Sequence, residues 1–189
     1  MRYLDSSGVD VEKARTLAAV VLADLPDRWE HTKAVAAQAE AVSGTVEPAD
    51  REVLVAAAWL HDIGYGVQAR DTGLHSLDGA RLAERWEWPP RVAALIAHHS
   101  GARYVVGGLG FTEALRAYPD EGSAVTDALL YADQTTGPRG ELWPAAARIA
   151  ASVRRHGPGS ANAKVSAERS VYLLEAIARV QARMASMSR

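Results

Sequence analysis

The segment Val53-Leu54-Val55-Ala56-Ala57-Ala58-Trp59-Leu60 carries no charged side chain on any face, and the next two residues are His61 and Asp62. A helix that is apolar all round is one the rest of the fold surrounds. The segment is far short of the ~20 residues that a bilayer span needs, so it predicts a central, buried helix of a globular protein. Gly64 supplies its stop. A carboxylate at the end of such a helix is costly unless it is paired or bound to a metal. Successive residues on a helix diverge by about 100°, so His61 and Asp62 can reach one ion only at the helix end, where other elements converge.

The remaining periodic segments also read as helix. Apolar residues recur at spacings of three and four, and alternating β-branched runs are scarce. Helices are expected over Asp10–Leu25 (ended by Pro26), over Asp27–Val42 with Asp27 as N-cap, and from Pro48 or Ala49 to Asp62 or Ile63. Further helices are expected over His75–Trp86, Arg91–His99, Phe111–Tyr118, Ser123–Thr136 with Ser123 as N-cap, Pro144–His156 and Ser166–Met187. The glycine-rich stretch Ser100–Gly110 reads as a mobile surface loop and Gly157–Ser160 as a linker. The fold class is all-α, a globule of about seven to nine helices. The chain of 189 residues reads as one domain, with a core over about 27–136 and the helices of 144–187 packed on it.

Composition removes several function classes. A formal net charge of -2 gives no bulk attraction to a nucleic-acid polymer or an anionic membrane. The chain has no cysteine, which excludes disulfides, thiolate zinc sites and thiol nucleophiles. Met1–Asp10 has no apolar signal core, so a cytoplasmic protein is expected. Of the 21 basic residues 18 are Arg, which reads first as genomic base composition. A homodimer is compatible with the sequence.

Five of the six histidines, His31, His61, His75, His98 and His99, fall in the first 99 residues. Asp133 ends the apolar run Leu129-Leu130-Tyr131-Ala132. Imidazole nitrogen and carboxylate oxygen together suit iron, manganese, zinc or nickel. His31, His61, Asp62 and Asp133 can furnish one six-coordinate ion, with water completing the shell. His75 and His98, with His99 as a further candidate, can hold a second ion bridged to the first by Asp62. Metal pairs ~3.5–4 Å apart are the usual device for hydrolysing phosphate esters.

In this order, with the contexts Arg28-Trp29-Glu30-His31, Leu60-His61-Asp62-Ile63-Gly64-Tyr65, His75-Ser76-Leu77-Asp78-Gly79-Ala80 and Ala97-His98-His99-Ser100, the chain resembles the HD-domain superfamily of metal-dependent phosphohydrolases. The resemblance covers about Asp27–Thr136. It implies divalent metal ions, two in the branch that carries extra histidines, drawn from Fe, Mn, Ni, Zn or Mg. It implies a small phosphorylated substrate, a nucleotide or related metabolite, attacked by metal-activated water. His75 and His98 match the second-ion ligands, while His99 is either a ligand or a neighbour facing the substrate. The context Tyr131-Ala132-Asp133 favours Asp133 over Asp127 as the last ligand. Asp62, or a neighbour linked to it by water, would manage the proton. Arg28 resembles an arginine that contacts phosphate, with a surface ion pair to Asp24 as the alternative. Many two-metal relatives carry lysine where this chain has Tyr65, and a phenol donates a hydrogen bond without adding charge. Asp78 is a candidate to orient His75, Arg103 and Arg139 are candidates to grip an anion, and Trp59 and Trp86 read as core. His156 is read as a cation at a helix end. No His-His-Glu followed by Gly-Tyr-Pro is present, which argues against cyclic-dinucleotide cleavage. Two rivals remain open: a mixed-valent di-iron oxygenase, and a regulatory protein that binds metal or ligand without chemistry.

Overall fold

The computed structural model describes residues 8–157 and 159–188; Met1–Ser7, most of the stretch read for a leader, and the His156 side chain lie outside that set. Eleven α-helices are present among the described residues: α1 (Val11–Val21), α2 (Pro26–Ala41), α3 (Arg51–Leu60), α4 (His75–Arg85), α5 (Pro90–His98), α6 (Ala102–Leu109), α7 (Thr112–Arg116), α8 (Ala124–Gln134), α9 (Ala145–His156), α10 (Ala161–Lys164) and α11 (Ser166–Met187). Short 3-10 turns cover Ser43–Thr45, Pro48–Asp50, Ile63–Tyr65 and His99–Gly101. An isolated antiparallel bridge, Thr136 to Leu142, is the sole β-pairing among the described residues. The all-α expectation is met. Among the described residues no helix is long and apolar enough to cross a membrane.

Helix α3 is the axis of the fold. Every residue from Val53 to Leu60 is buried, and α3 packs against α1, α2, α5 and α8. Trp59 lies in this core with its ring 5.7 Å from that of Trp29, and half-buried Trp86 packs on the same cluster. Helix α11 runs along α8 and also meets α9, so the C-terminal helices lean on the element that carries Asp133.

Local chemistry explains where the helices begin. Ser123 caps α8 through a reciprocal capping box with Thr126. Asp27 does not cap α2: Leu25 holds that position and Pro26 is the first helical residue. Proline has no N–H to satisfy and its φ is already helical, so the start moves onto it and Asp27 falls in the first turn, facing the positive helix end. The expected loop Ser100–Gly110 is largely helix α6, with Ala102, Val105 and Val106 buried. Those residues stand at helical spacing, and their burial offsets the ~1 kcal/mol that each interior glycine costs. Gly108 also faces α10, where an added Cβ would lie 3.3 Å from that of Ala161.

Candidate metal centre

The end of α3 is held against the start of α4 by a contact only glycine permits. A Cβ on Gly64 would lie 1.8 Å from the carbonyl oxygen of His75 and 2.7 Å from the amide nitrogen of Gly79. The His61-Asp62 turn is therefore pressed onto the first turn of α4, where His75 is the first residue. Asp78 does not orient His75. Its carboxylate accepts from the backbone N–H groups of Asp71, Thr72 and Gly73 and from the Thr72 hydroxyl. It thus folds the loop that delivers α4.

Two left-handed residues in succession, Ser100 (φ 55°) and Gly101 (φ 68°), turn the chain after α5. The helix ends between the two adjacent histidines: His98 keeps a near-helical backbone (φ -98°, ψ -6°), while His99 is extended (φ -56°, ψ 160°). His99 faces inward, 2% exposed. His98, expected as a ligand of the second ion, faces away. Its Nε2–H donates to the Tyr118 carbonyl at 2.9 Å and its Nδ1 lies 3.7 Å from Asp120. His99 takes the place expected of His98.

His31, His61 and Asp133 bring donor atoms together in one group; Asp62, His75 and His99 do so in another, all within 4.8 Å of one another in each. Asp62 joins the groups. Its Oδ2 lies 3.4 Å from His61 Nε2 and 3.8 Å from His31 Nε2, while its Oδ1 lies 3.7 Å from the Nε2 atoms of both His75 and His99. Asp127, the rival to Asp133, is elsewhere, paired with Arg179 and Arg183.

The tautomers follow from the backbone. His31 Nδ1 lies 2.8 Å from Gly137 O, His61 Nδ1 2.7 Å from Ala58 O, and His99 Nδ1 2.6 Å from Ile96 O. A carbonyl can only accept, so each Nδ1 carries the proton and donates it. In the neutral ring each Nε2 then presents a lone pair to the interior. His31 Nε2 faces Asp133 Oδ1 at 3.2 Å, and the Nε2 atoms of His75 and His99 lie 3.1 Å apart. His61 Nε2 is buried without a hydrogen-bond partner among the described residues. Where these Nε2 atoms carry no proton, the lone pairs and carboxylate oxygens repel one another unless a cation lies among them. Four imidazoles and two carboxylates therefore fit divalent metal.

The electrostatics agree. Burial opposes ionisation of Asp62, but the charges of His61 and Arg28 and the hydrogen bonds to it hold the carboxyl well below its usual range. Asp133 is also held well below, burial being outweighed by its contact with His31 and by the nearby cations. Asp62 is thus ionised, with one oxygen facing each group. Burial, then the charge of His99, pushes His75 down to about 3, so its ring is neutral at physiological pH.

Arg28 does not pair with Asp24. Its Nη1 donates to Asp62 Oδ2 at 2.9 Å, and its guanidinium lies 4.1 Å over the ring of Tyr65. Tyr65 in turn stacks on His75, with centroids 4.3 Å apart. Burial, then the charge of Asp62, pushes the phenol up to about 12, so it stays protonated. The Asp133 carboxylate also accepts from the Ser100 hydroxyl and, at 2.7 Å, from Gln134 Nε2.

The centre opens into a cavity of about 420 Å³, lined on one side by Arg28, Tyr65, Asp62, His75, His99 and Asp133 and elsewhere by Ser100, Gln134, Arg148, Arg155 and Arg169. The arginines expected to face an anion do not line it. Arg103 pairs with Asp120 at 3.0 Å and lies over Tyr172, and Arg139 is exposed. Arg148 and Arg155, which do line the cavity, had a signal in the sequence. With Ser152 they stand at i, i+4 and i+7 of one helix, hence on one face. Ser100 had none, since its role depends on a turn that propensity does not indicate.

A family model described as the HD domain matches residues 28–128. The match takes in His31, His61, Asp62, His75 and His99 and ends before Asp133. No curated protein and no solved structure matches the chain.

Proposed function

Because the chain belongs to the HD-domain family, we propose that it is a metal-dependent phosphohydrolase that hydrolyses a small phosphate ester, a nucleotide or related metabolite, with two divalent ions. The observation that supports the reading is Asp62, whose two oxygens are divided between two groups of donor atoms, one of which, His61 Nε2, is buried without a hydrogen-bond partner among the described residues. One ion is assigned to His31, His61 and Asp133, the other to His75 and His99, with Asp62 common to both. Manganese, iron, nickel, zinc and magnesium are the candidates. When bound, such ions lower the pKa of water and stabilise charge developing on phosphoryl oxygens.

The chain's own residues supply the rest. Arg28, fixed by Asp62 and by the face of Tyr65, presents positive charge beside the reacting group. The protonated phenol of Tyr65 donates a hydrogen bond where related enzymes carry a lysine. Ser100 and Gln134 hold Asp133 so that one of its oxygens remains for the ion. The backbone carbonyls of Gly137, Ala58 and Ile96 keep three imidazoles in the ligand tautomer.

The test is to load the protein with each candidate metal, count ions by elemental analysis, and assay p-nitrophenyl phosphate and a nucleotide panel. Turnover with two ions per chain is expected, with loss of both turnover and metal in Asp62→Asn. No turnover from fully loaded protein refutes the reading, and oxygen uptake by iron-loaded protein with a coupled Fe(II)/Fe(III) resonance would replace it with di-iron oxygenase chemistry.

A further inference from the structure

The geometry points to a substrate with a second anionic group, held by the guanidiniums of Arg148, Arg155 and Arg169 while its phosphate ester lies at the metal centre. These arginines lie on α9 and α11, beyond the stretch the family model matches. The inference rests on the phosphohydrolase reading for which end reacts, and on the cavity alone for the second site.

Three positive side chains face one cavity with little negative charge to meet them. Arg169 is 7% exposed. Its Nε donates to Ser100 O at 2.8 Å and its Nη1 to Asn162 Oδ1 at 3.3 Å. Both partners are neutral, and no carboxylate lies within 4.0 Å of it among the described residues. Arg148 is 6% exposed. Its Nε donates to Thr136 O at 2.8 Å, and the carboxylate nearest to it, Asp133 Oδ1, is 3.8 Å from Nη2. That carboxylate is already engaged by His31, Ser100 and Gln134. Arg155 has no carboxylate partner among the described residues. Burial and the charges of Arg148 and Arg28 make Arg155 lose its proton more readily than an ordinary arginine, and burial with Arg148 and Arg155 does the same for Arg169. The cluster is thus built of mutually repelling cations.

The reacting phosphate does not need them. Two divalent ions with Arg28, less the charges of Asp62 and Asp133, already exceed the roughly two negative charges of a phosphate monoester. The surplus matches a second phosphate or a similar anion on the same molecule. Arg148, beside Asp133, and Arg155 are seven residues apart on α9, about 10 Å along the axis. The cations therefore extend from the metal centre outward. Val105 and Leu109 of α6 line the same cavity and offer an apolar wall to an uncharged body between the two anions.

Alkane-α,ω-diphosphonates of two to six carbons test this, because a hydrolase does not cleave their C–P bonds. Their affinity is compared with that of alkyl monophosphonates of equal length, by calorimetry on manganese-loaded protein at buffered, saturating free manganese. The best diphosphonate is expected to bind at least about tenfold more tightly than its monophosphonate, the worth of one good charge-assisted hydrogen bond. Arg155→Gln should cut that advantage below about threefold, and Arg155→Lys should restore part of it. Arg155 is exposed, and an unchanged melting temperature establishes that the variant is folded. No tenfold advantage in the wild type, or an advantage that survives Arg155→Gln, overturns the inference. An advantage without p-nitrophenyl phosphate hydrolysis leaves the anion site standing and removes the phosphohydrolase reading; hydrolysis without an advantage does the reverse.

Discussion

Replacing each of the two adjacent histidines by alanine separates a ligand from a structural residue. His99 presents Nε2 to the interior, 3.1 Å from His75 Nε2 and 3.7 Å from Asp62 Oδ1, with its ring fixed by the Ile96 carbonyl. Losing an outer partner of a ligand typically costs ~10–100-fold in metal affinity. Losing one of the donors of the group should exceed that range, more than about 100-fold or roughly 2.7 kcal/mol. His99→Ala should therefore retain one ion where the wild type retains two. His98→Ala removes the donor to Tyr118 O and leaves that carbonyl unpaired, at a cost of about 1–3 kcal/mol. For a chain of this size that lowers the melting temperature by roughly 2–12 °C, with metal content unchanged. Elemental analysis after dialysis against a metal buffer, with thermal melts of the metal-free proteins, reads both effects. Equal loss of metal in the two variants would refute the assignment of His99 to the centre and of His98 to the Tyr118 carbonyl.

Gly64→Ala forces a methyl into the backbone of His75 and Gly79. Overpacking costs ~1–3 kcal/mol where side chains can yield; backbone cannot, so a loss of about 3 kcal/mol or more is expected in urea denaturation, and a loss below ~1 kcal/mol would contradict the close crossing. Metal uptake should depend on pH through His61. Burial opposes protonation there, but the charge of Asp62, 3.4 Å away, outweighs it and raises the pKa above the ordinary 6.5. An incoming ion must displace that proton, so affinity should climb as pH rises from 6.5 through the raised value and fall below it. Manganese titrations in buffers of different ionisation enthalpy should report proton release near pH 7, and buffer-independent heats would exclude it.

How much of this was legible in the chain follows from the range of each interaction. Helix identity was legible because it rests on local spacing: the unbroken apolar run of α3, the cap at Ser123 and the terminal helix Ser166–Met187 need few distant partners. Helix α6 was not, because its glycines oppose the helix locally and only burial of Val105 and Val106 reverses the balance. The residue types of the centre were legible as well, since neutral imidazoles and carboxylates at helix ends have few inexpensive uses. Their grouping was not.

By itself the sequence determined an all-helical protein whose buried central helix delivers a histidine and an aspartate to a place where other histidines could meet them. Tertiary structure alone decided that His99 and not His98 turns inward, that Arg28 meets Asp62, and that arginines from α9 and α11 line the cavity. The physical reason is range. Helices arise from contacts three or four residues apart, whereas the direction of a histidine at a helix end, or the meeting of residues 28 and 62, depends on packing that brings together segments far apart in the chain.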